Sequence, residues 1–138
     1  MRLWHNDLIP VLPRQQLLGQ WRECCLIMKE IAEKGTPNHL LVNKVMEYPM
    51  EHFWFYTYQV ADEMRCRGYK VDIEKFLKWY RQTGSGQYYI ENKDLFADWH
   101  NDRYLKQCYY NLQEKYDCGG ISEEEWHDIN FVCDGGAL

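Results

Sequence analysis

The chain has 138 residues, of which 46% are hydrophobic and 16% aromatic, enough for one core-bearing domain and too many for a disordered chain. No run of about 18 apolar residues is present, so no membrane-spanning helix is expected. The charges at Arg2 and Asp7, with no long apolar stretch after them, argue against a secretion signal. The six cysteines include no CxxC pair and then read as reduced, cytosolic thiols. The net charge of −5 is uneven: residues 1–90 carry 12 Lys and Arg against 10 Asp and Glu, whereas residues 91–138 carry 4 against 11. Acid is therefore confined to the last third, and the remainder can present a basic face to a polyanion.

Residues 1–12 read as an extended arm, with a turn at His5-Asn6-Asp7 in which Asp7 could cap Leu8-Ile9. Pro10 and Pro13 fix the backbone, and Pro13 suits the first turn of a helix. That helix is expected from Pro13 to Lys34, with Gly35 ending it. Leu17, Trp21, Cys24, Met28 and Ile31 form its apolar stripe, and Gln16, Gly19, Gln20 and Glu23 lie along another face. Gly19 could serve close helix packing or the approach of a ligand or of the arm. Cys24 and Cys25 point about 100° apart and read as packing residues.

Thr36-Pro37 reads as the start of a second helix that stops near Tyr48-Pro49. A third is expected from Pro49 to Gly68; Phe53, Trp54, Phe55, Tyr56 and Tyr58 place it centrally in the core, with His52 at the core edge. Asp72 should cap a short helix from Ile73 to Arg81, and Gly84-Ser85-Gly86 is a break. Residues 94–117 carry a long helical pattern ended by Gly119-Gly120. Ser122 with Glu125 is a capping box for a last helix to about Phe131, followed by a frayed tail from Asp134 to Leu138. The expectation is an all-α, single-domain bundle of five or six helices spanning residues 1–138.

No phosphate-binding loop, HExxH or GxSxG is present, and the cysteine spacings match no zinc pattern, although Cys108, Cys118, Cys133 and His127 could in principle gather round a metal. What remains is a polar cluster near the N-terminus: Arg2, Arg14, Gln15, Gln16, Arg22 and Glu23. Arginines make bidentate phosphate contacts, and glutamines read base edges. Arg22-Glu23 could equally be a surface ion pair on a catalytically silent helical module that binds nucleic acid or protein.

The segment from Leu12 to Glu23, Leu-Pro-Arg-Gln-Gln-Leu-Leu-Gly-Gln-Trp-Arg-Glu, resembles the first helix of the phage-type endonuclease V, or pyrimidine dimer DNA glycosylase, family. The opening Met-Arg-Leu-Trp-His, the following Asp-Leu-Ile-Pro, and the later Val42-Asn43, Tyr48-Pro49, Glu63-Met64 and Arg67-Gly68-Tyr69 resemble its bacterial members. The likeness is strong over residues 1–70 and weak beyond. It implies a compact all-α fold with the N-terminal arm passing between helices. It also implies a glycosylase and abasic-site lyase that uses no metal or other cofactor and acts on damaged double-stranded DNA; a monomer is expected. In the family, the α-amine of the mature chain attacks the sugar carbon bearing the damaged base, and an imine to the enzyme remains. A glutamate at the position of Glu23 assists proton transfer, and β-elimination cuts the strand.

By that resemblance the catalytic residues are Met1, through its amine, and Glu23. Arg2 and Arg22 fall at family positions that hold DNA, Gln15 at a contact position, and Gln16 where the family has a histidine. Arg2 is bulky enough to block removal of Met1, which assigns the nucleophile to a retained Met1. Leu26 replaces another DNA-binding arginine, and the family's aromatic C-terminal segment has no clear counterpart. The lesion is thus left open between a pyrimidine dimer and a related damaged base. The chemistry is reasonable in itself: α-amines titrate at about 7.7–8.0, so part of the population is neutral and nucleophilic near pH 7. A neighbouring carboxylate can stabilise positive charge on the sugar and move protons.

Overall fold

A computed structural model describes residues 1–134; of the tail expected to fray, 135–138 lie outside the described residues. Five α-helices form the body: α1 Arg14–Lys34, α2 Met50–Cys66, α3 Glu74–Tyr80, α4 Asp102–Asp117 and α5 Glu123–Cys133. Three short 3-10 helices lie between them or before them, at Asn6–Val11, Asn43–Glu47 and Arg81–Thr83. No strand occurs among the described residues. The all-α bundle expected from the periodicity is what the chain forms.

Helix α1 starts directly after Pro13 and ends at Gly35, which takes the left-handed conformation (φ 79°) that closes helices and that only glycine adopts freely. It packs on α2 and α3. Helix α2 buries Phe53, Thr57, Val60 and Met64 at steps of four, three and four, with Tyr56 and Ala61 beside them, and Phe53 meets Phe76 of α3 edge to face. Ser122 and Glu125 form the expected reciprocal capping box at the start of α5. Asp72 lies one residue before the cap position of α3, Ile73, and its Oδ1 accepts from the Glu74 N–H.

Three local expectations are corrected. The short N-terminal turn is capped by His5, whose Nδ1 accepts from the Asp7 N–H, and not by Asp7. No helix begins at Thr36-Pro37; only Asn43–Glu47 is helical there, as a 3-10 turn. Local side-chain bonds win over the helix: Thr36 Oγ1 accepts from the Asn38 N–H, Asn38 turns left-handed (φ 53°), and Asn43 Oδ1 accepts from the His39 N–H.

The pattern over 94–117 also splits. Residues 92–99 form turns, and α4 starts only at Asp102, capped by Asn101 through the Tyr104 N–H. Phe96 sits in the left-handed region (φ 50°), a conformation that costs a residue other than glycine roughly 1–2 kcal/mol. Its ring is fully buried among Tyr48, His52, Tyr56 and Trp99, and its N–H donates to His52 Nδ1. Burying a phenyl ring is worth about 1.5–3 kcal/mol, enough to hold the turn.

Candidate active site

The arm enters the body of the protein: Leu3, Trp4, His5 and Asn6 are all buried. An extended segment with no strand beside it must find partners for its backbone, since buried peptide groups are rarely left unpaired. Here side chains from three directions supply them. Gln20 of α1 does most: its Oε1 accepts from the Trp4 N–H at 2.7 Å, and its Nε2 donates to the Arg2 carbonyl at 3.0 Å. The Tyr56 hydroxyl of α2 donates to the Trp4 carbonyl. The Tyr104 hydroxyl of α4 donates to the Leu3 carbonyl at 2.6 Å, and His100 Nδ1 accepts from the Asn6 N–H at 3.0 Å. Burial raises both phenols far above their ordinary range, so they act as neutral O–H donors.

These contacts bring the end of the arm to Glu23. Met1 and Arg2 of the arm, Glu23 of α1, Leu41 of the following loop, and Asn111 and Lys115 of α4 line one cavity of about 280 Å³. Glu23 is half-buried, and its Oε2 lies 3.5 Å from Gln20 Nε2, so the amide that holds the arm also touches the carboxylate. No ion pair within 4.0 Å joins Glu23 to Met1 or to Arg22. The surface ion pair considered for Arg22-Glu23 therefore does not form.

The remaining candidates separate. Arg2 is half-buried, with its guanidinium over the Trp4 ring (5.4 Å) and 3.9 Å from Cys108 Sγ, and it lines the cavity. Gln15 and Arg22 are exposed on α1 and lie seven residues apart, along one face. Gln16 is half-buried, with its Oε1 enclosed and without a hydrogen-bond partner. Arg14 goes elsewhere. Nine residues at about 100° each turn it to the side of α1 opposite Glu23, and its guanidinium lies over the Tyr69 ring at 5.6 Å. Its N–H meets Glu125 of the acidic α5. Gly19 serves no close helix contact: a Cβ there would meet only Arg22 Nη2, at 3.9 Å.

Sequence periodicity placed Gln20 on the Glu23 face but gave it no role, and it missed Asn111 and Lys115 altogether. The available signal was the spacing of Tyr104, Cys108, Asn111 and Lys115, which puts all four on one side of α4. A larger cavity of about 550 Å³ shares no residue with the Glu23 cavity. Asp7, Asp62 and Glu63 line it, which is the wrong sign for a phosphate chain. The thiols offer no rival nucleophile near Glu23: burial pushes Cys24 and Cys108 up, and Cys25 to about 11, so they stay protonated at neutral pH. Among the described residues no group of three or more His, Cys, Asp or Glu side chains could hold a metal ion.

Against known proteins, a family model described as pyrimidine dimer DNA glycosylase matches residues 1–77. That span holds the arm, α1, α2 and the cavity residues up to Leu41. No curated protein and no solved structure gives a significant match to the chain.

Proposed function

The chain belongs to the pyrimidine dimer DNA glycosylase family, and we propose that it removes a damaged base from duplex DNA with the α-amine of Met1 as nucleophile and then cleaves the strand as a lyase. At family level it is a DNA repair glycosylase. The observation that carries the finer proposal is that Met1 and Glu23 line one cavity while Gln20 holds both the arm and the carboxylate.

In this mechanism the neutral amine attacks C1′ of the damaged nucleotide. The bond from C1′ to the base breaks, and the base leaves with its electron pair and one of the two protons of the attacking amine. The amine's remaining proton passes to the sugar ring oxygen as the ring opens, leaving an imine between Met1 and C1′. Glu23 stabilises the cationic sugar, then takes the proton from C2′. The C3′–oxygen bond breaks with loss of the 3′ phosphate, and water releases the sugar from the amine. The sugar would occupy the cavity of about 280 Å³ that Met1 and Glu23 both line. Arg2 and Lys115 at the cavity, with Arg22 and Gln15 outside it, would hold the phosphates. Arg14 is the weakest DNA contact of the set, being turned towards Tyr69 and Glu125.

The test is reductive trapping. Protein with a free N-terminus, verified by mass spectrometry, is incubated with an abasic-site duplex and with a pyrimidine-dimer duplex in sodium borohydride. The expected result is a covalent adduct through Met1, located by peptide mapping. Glu23→Gln should retain duplex binding and lose strand cleavage by at least about 10²-fold, the usual contribution of a positioned acid–base group. Absence of adduct on both duplexes would refute the imine mechanism. Adduct on the abasic duplex alone would point to a different damaged base as the glycosylase substrate.

A further inference from the structure

Leu40 and Leu41 stand side by side in solvent: Leu40 is 90% exposed and Leu41 51%, with Leu26 of α1, at 47%, the other exposed leucine among the described residues. The loop that carries them is not loose. Val42 and Val45 just behind are fully buried, and the His39 carbonyl accepts from both the Val42 and Asn43 N–H groups. Asn43 Oδ1 accepts from the His39 N–H, and His39 Nδ1 from the Leu41 N–H. The tip is thus a pre-formed apolar projection held by its own hydrogen bonds.

Its position is specific. Leu41 lines the Glu23 cavity and also two adjoining cavities of about 250 and 290 Å³, so the three open side by side along the loop. Leu40 lines the outermost, with Trp99, and Lys44 and Arg103 flank it there. Together with Arg2 and Lys115, the trough carries four cationic side chains against Asp98 and Glu23. That balance suits a phosphate backbone along the trough. Apolar side chains that stand beside a cationic track fit between unstacked bases, as wedges that kink a duplex do.

Resting on the proposed glycosylase site, we infer that Leu40, backed by Leu41, is a wedge that inserts into the base stack at the lesion and opens the strand so that the damaged sugar reaches Met1 and Glu23. The occupant of this surface is a base step of the damaged duplex. Insertion would replace the stacking lost when a nucleotide leaves the helix.

The test uses a duplex with a tetrahydrofuran abasic analogue, which cannot form an imine, and 2-aminopurine as the neighbouring base. Wild-type protein is expected to raise the 2-aminopurine emission as that base unstacks. Leu40→Ala should lose most of the rise, Leu40→Ala/Leu41→Ala all of it, and Leu40→Met should retain it. Duplex affinity of the double variant should fall by roughly tenfold, about the value of one base-stacking contact, with single-strand affinity unchanged. Leu40 is solvated, so its variants fold, which circular dichroism verifies. No emission rise with wild type, or an equal rise with both alanine variants, overturns the wedge. Borohydride trapping of wild type on a true abasic duplex runs in parallel. Failure of that arm alone refutes the imine and leaves the wedge result standing.

Discussion

Gln20 shows how much one side chain can decide. It is 1% exposed, and its single amide meets the Trp4 N–H, the Arg2 carbonyl and the Glu23 carboxylate. Replacing it with alanine leaves the buried Trp4 N–H and the partly buried Arg2 carbonyl without these partners, and a buried unpaired group costs about 1–3 kcal/mol. Gln20→Ala should therefore destabilise the protein by a few kcal/mol in urea unfolding. It should also slow borohydride trapping more than it weakens duplex binding, because the arm loses its alignment to Glu23. Gln20→Glu keeps the acceptor for Trp4 but sets a buried carboxylate oxygen against the Arg2 carbonyl and the Glu23 carboxylate, so it should not restore stability. Equal losses in trapping and binding would mean that Gln20 has a purely structural role. The glutamine was visible in the sequence as a polar residue on the Glu23 face. Its role was not, because its partners are backbone groups of another segment, which side-chain periodicity does not report.

At the scale of elements, the arm and the turn segment before α4 depend on each other. His5 and His100 stack at 5.3 Å between ring centres, and burial lowers the pKa of both below the usual 6.5, His100 strongly. A histidine held neutral in the fold takes up a proton on unfolding once the pH falls below its unfolded pKa, so stability declines with acidification. Protonated His100 could not accept from the Asn6 N–H. The urea midpoint should be flat from about pH 8 to 7 and fall between about pH 6.5 and 5, above the range where carboxylates titrate. A flat midpoint throughout would show that neither imidazole is held neutral. Helices α1, α2, α3 and α5 were legible from spacing and caps, because each is a local pattern with a local stop signal. The first turns of the expected helix over 94–117 were not, because Phe96 is held left-handed by rings from Tyr48, His52 and Tyr56, far away in sequence. Thr36-Pro37 failed for the opposite reason: its competing contacts are shorter in range than a helical turn.

For the whole molecule, charge is divided by region. The trough beside Met1 carries Arg2, Lys44, Arg103 and Lys115, whereas α5 begins with three consecutive glutamates. With Arg22, about five phosphates can be neutralised, so the slope of log affinity against log salt should be no steeper than roughly −5. Lys115→Ala should reduce its magnitude by about 1 and leave helicity unchanged, since Lys115 is exposed. A much steeper slope would mean that the duplex reaches well beyond the trough. The family resemblance located Met1, Arg2 and Glu23 in one neighbourhood, and the cavity holds all three. It could not locate Asn111 and Lys115, which lie beyond the matched residues 1–77.

The arm's partners also set an order of events during synthesis. Leu3 waits for Tyr104, and Asn6 for His100, the latter a separation of 94 residues. At about 5–20 residues per second, the first residues spend roughly 5–20 s outside the ribosome before α4 can receive them. For that interval the amine proposed as nucleophile is an unfolded, exposed chain end, open to every enzyme that trims or acylates nascent termini. Afterwards, the same end leads into a buried arm tied down on three sides. The chemical state of that terminal amine is therefore settled in the seconds before the fold closes, and the rate of translation through α4 determines how long that window lasts.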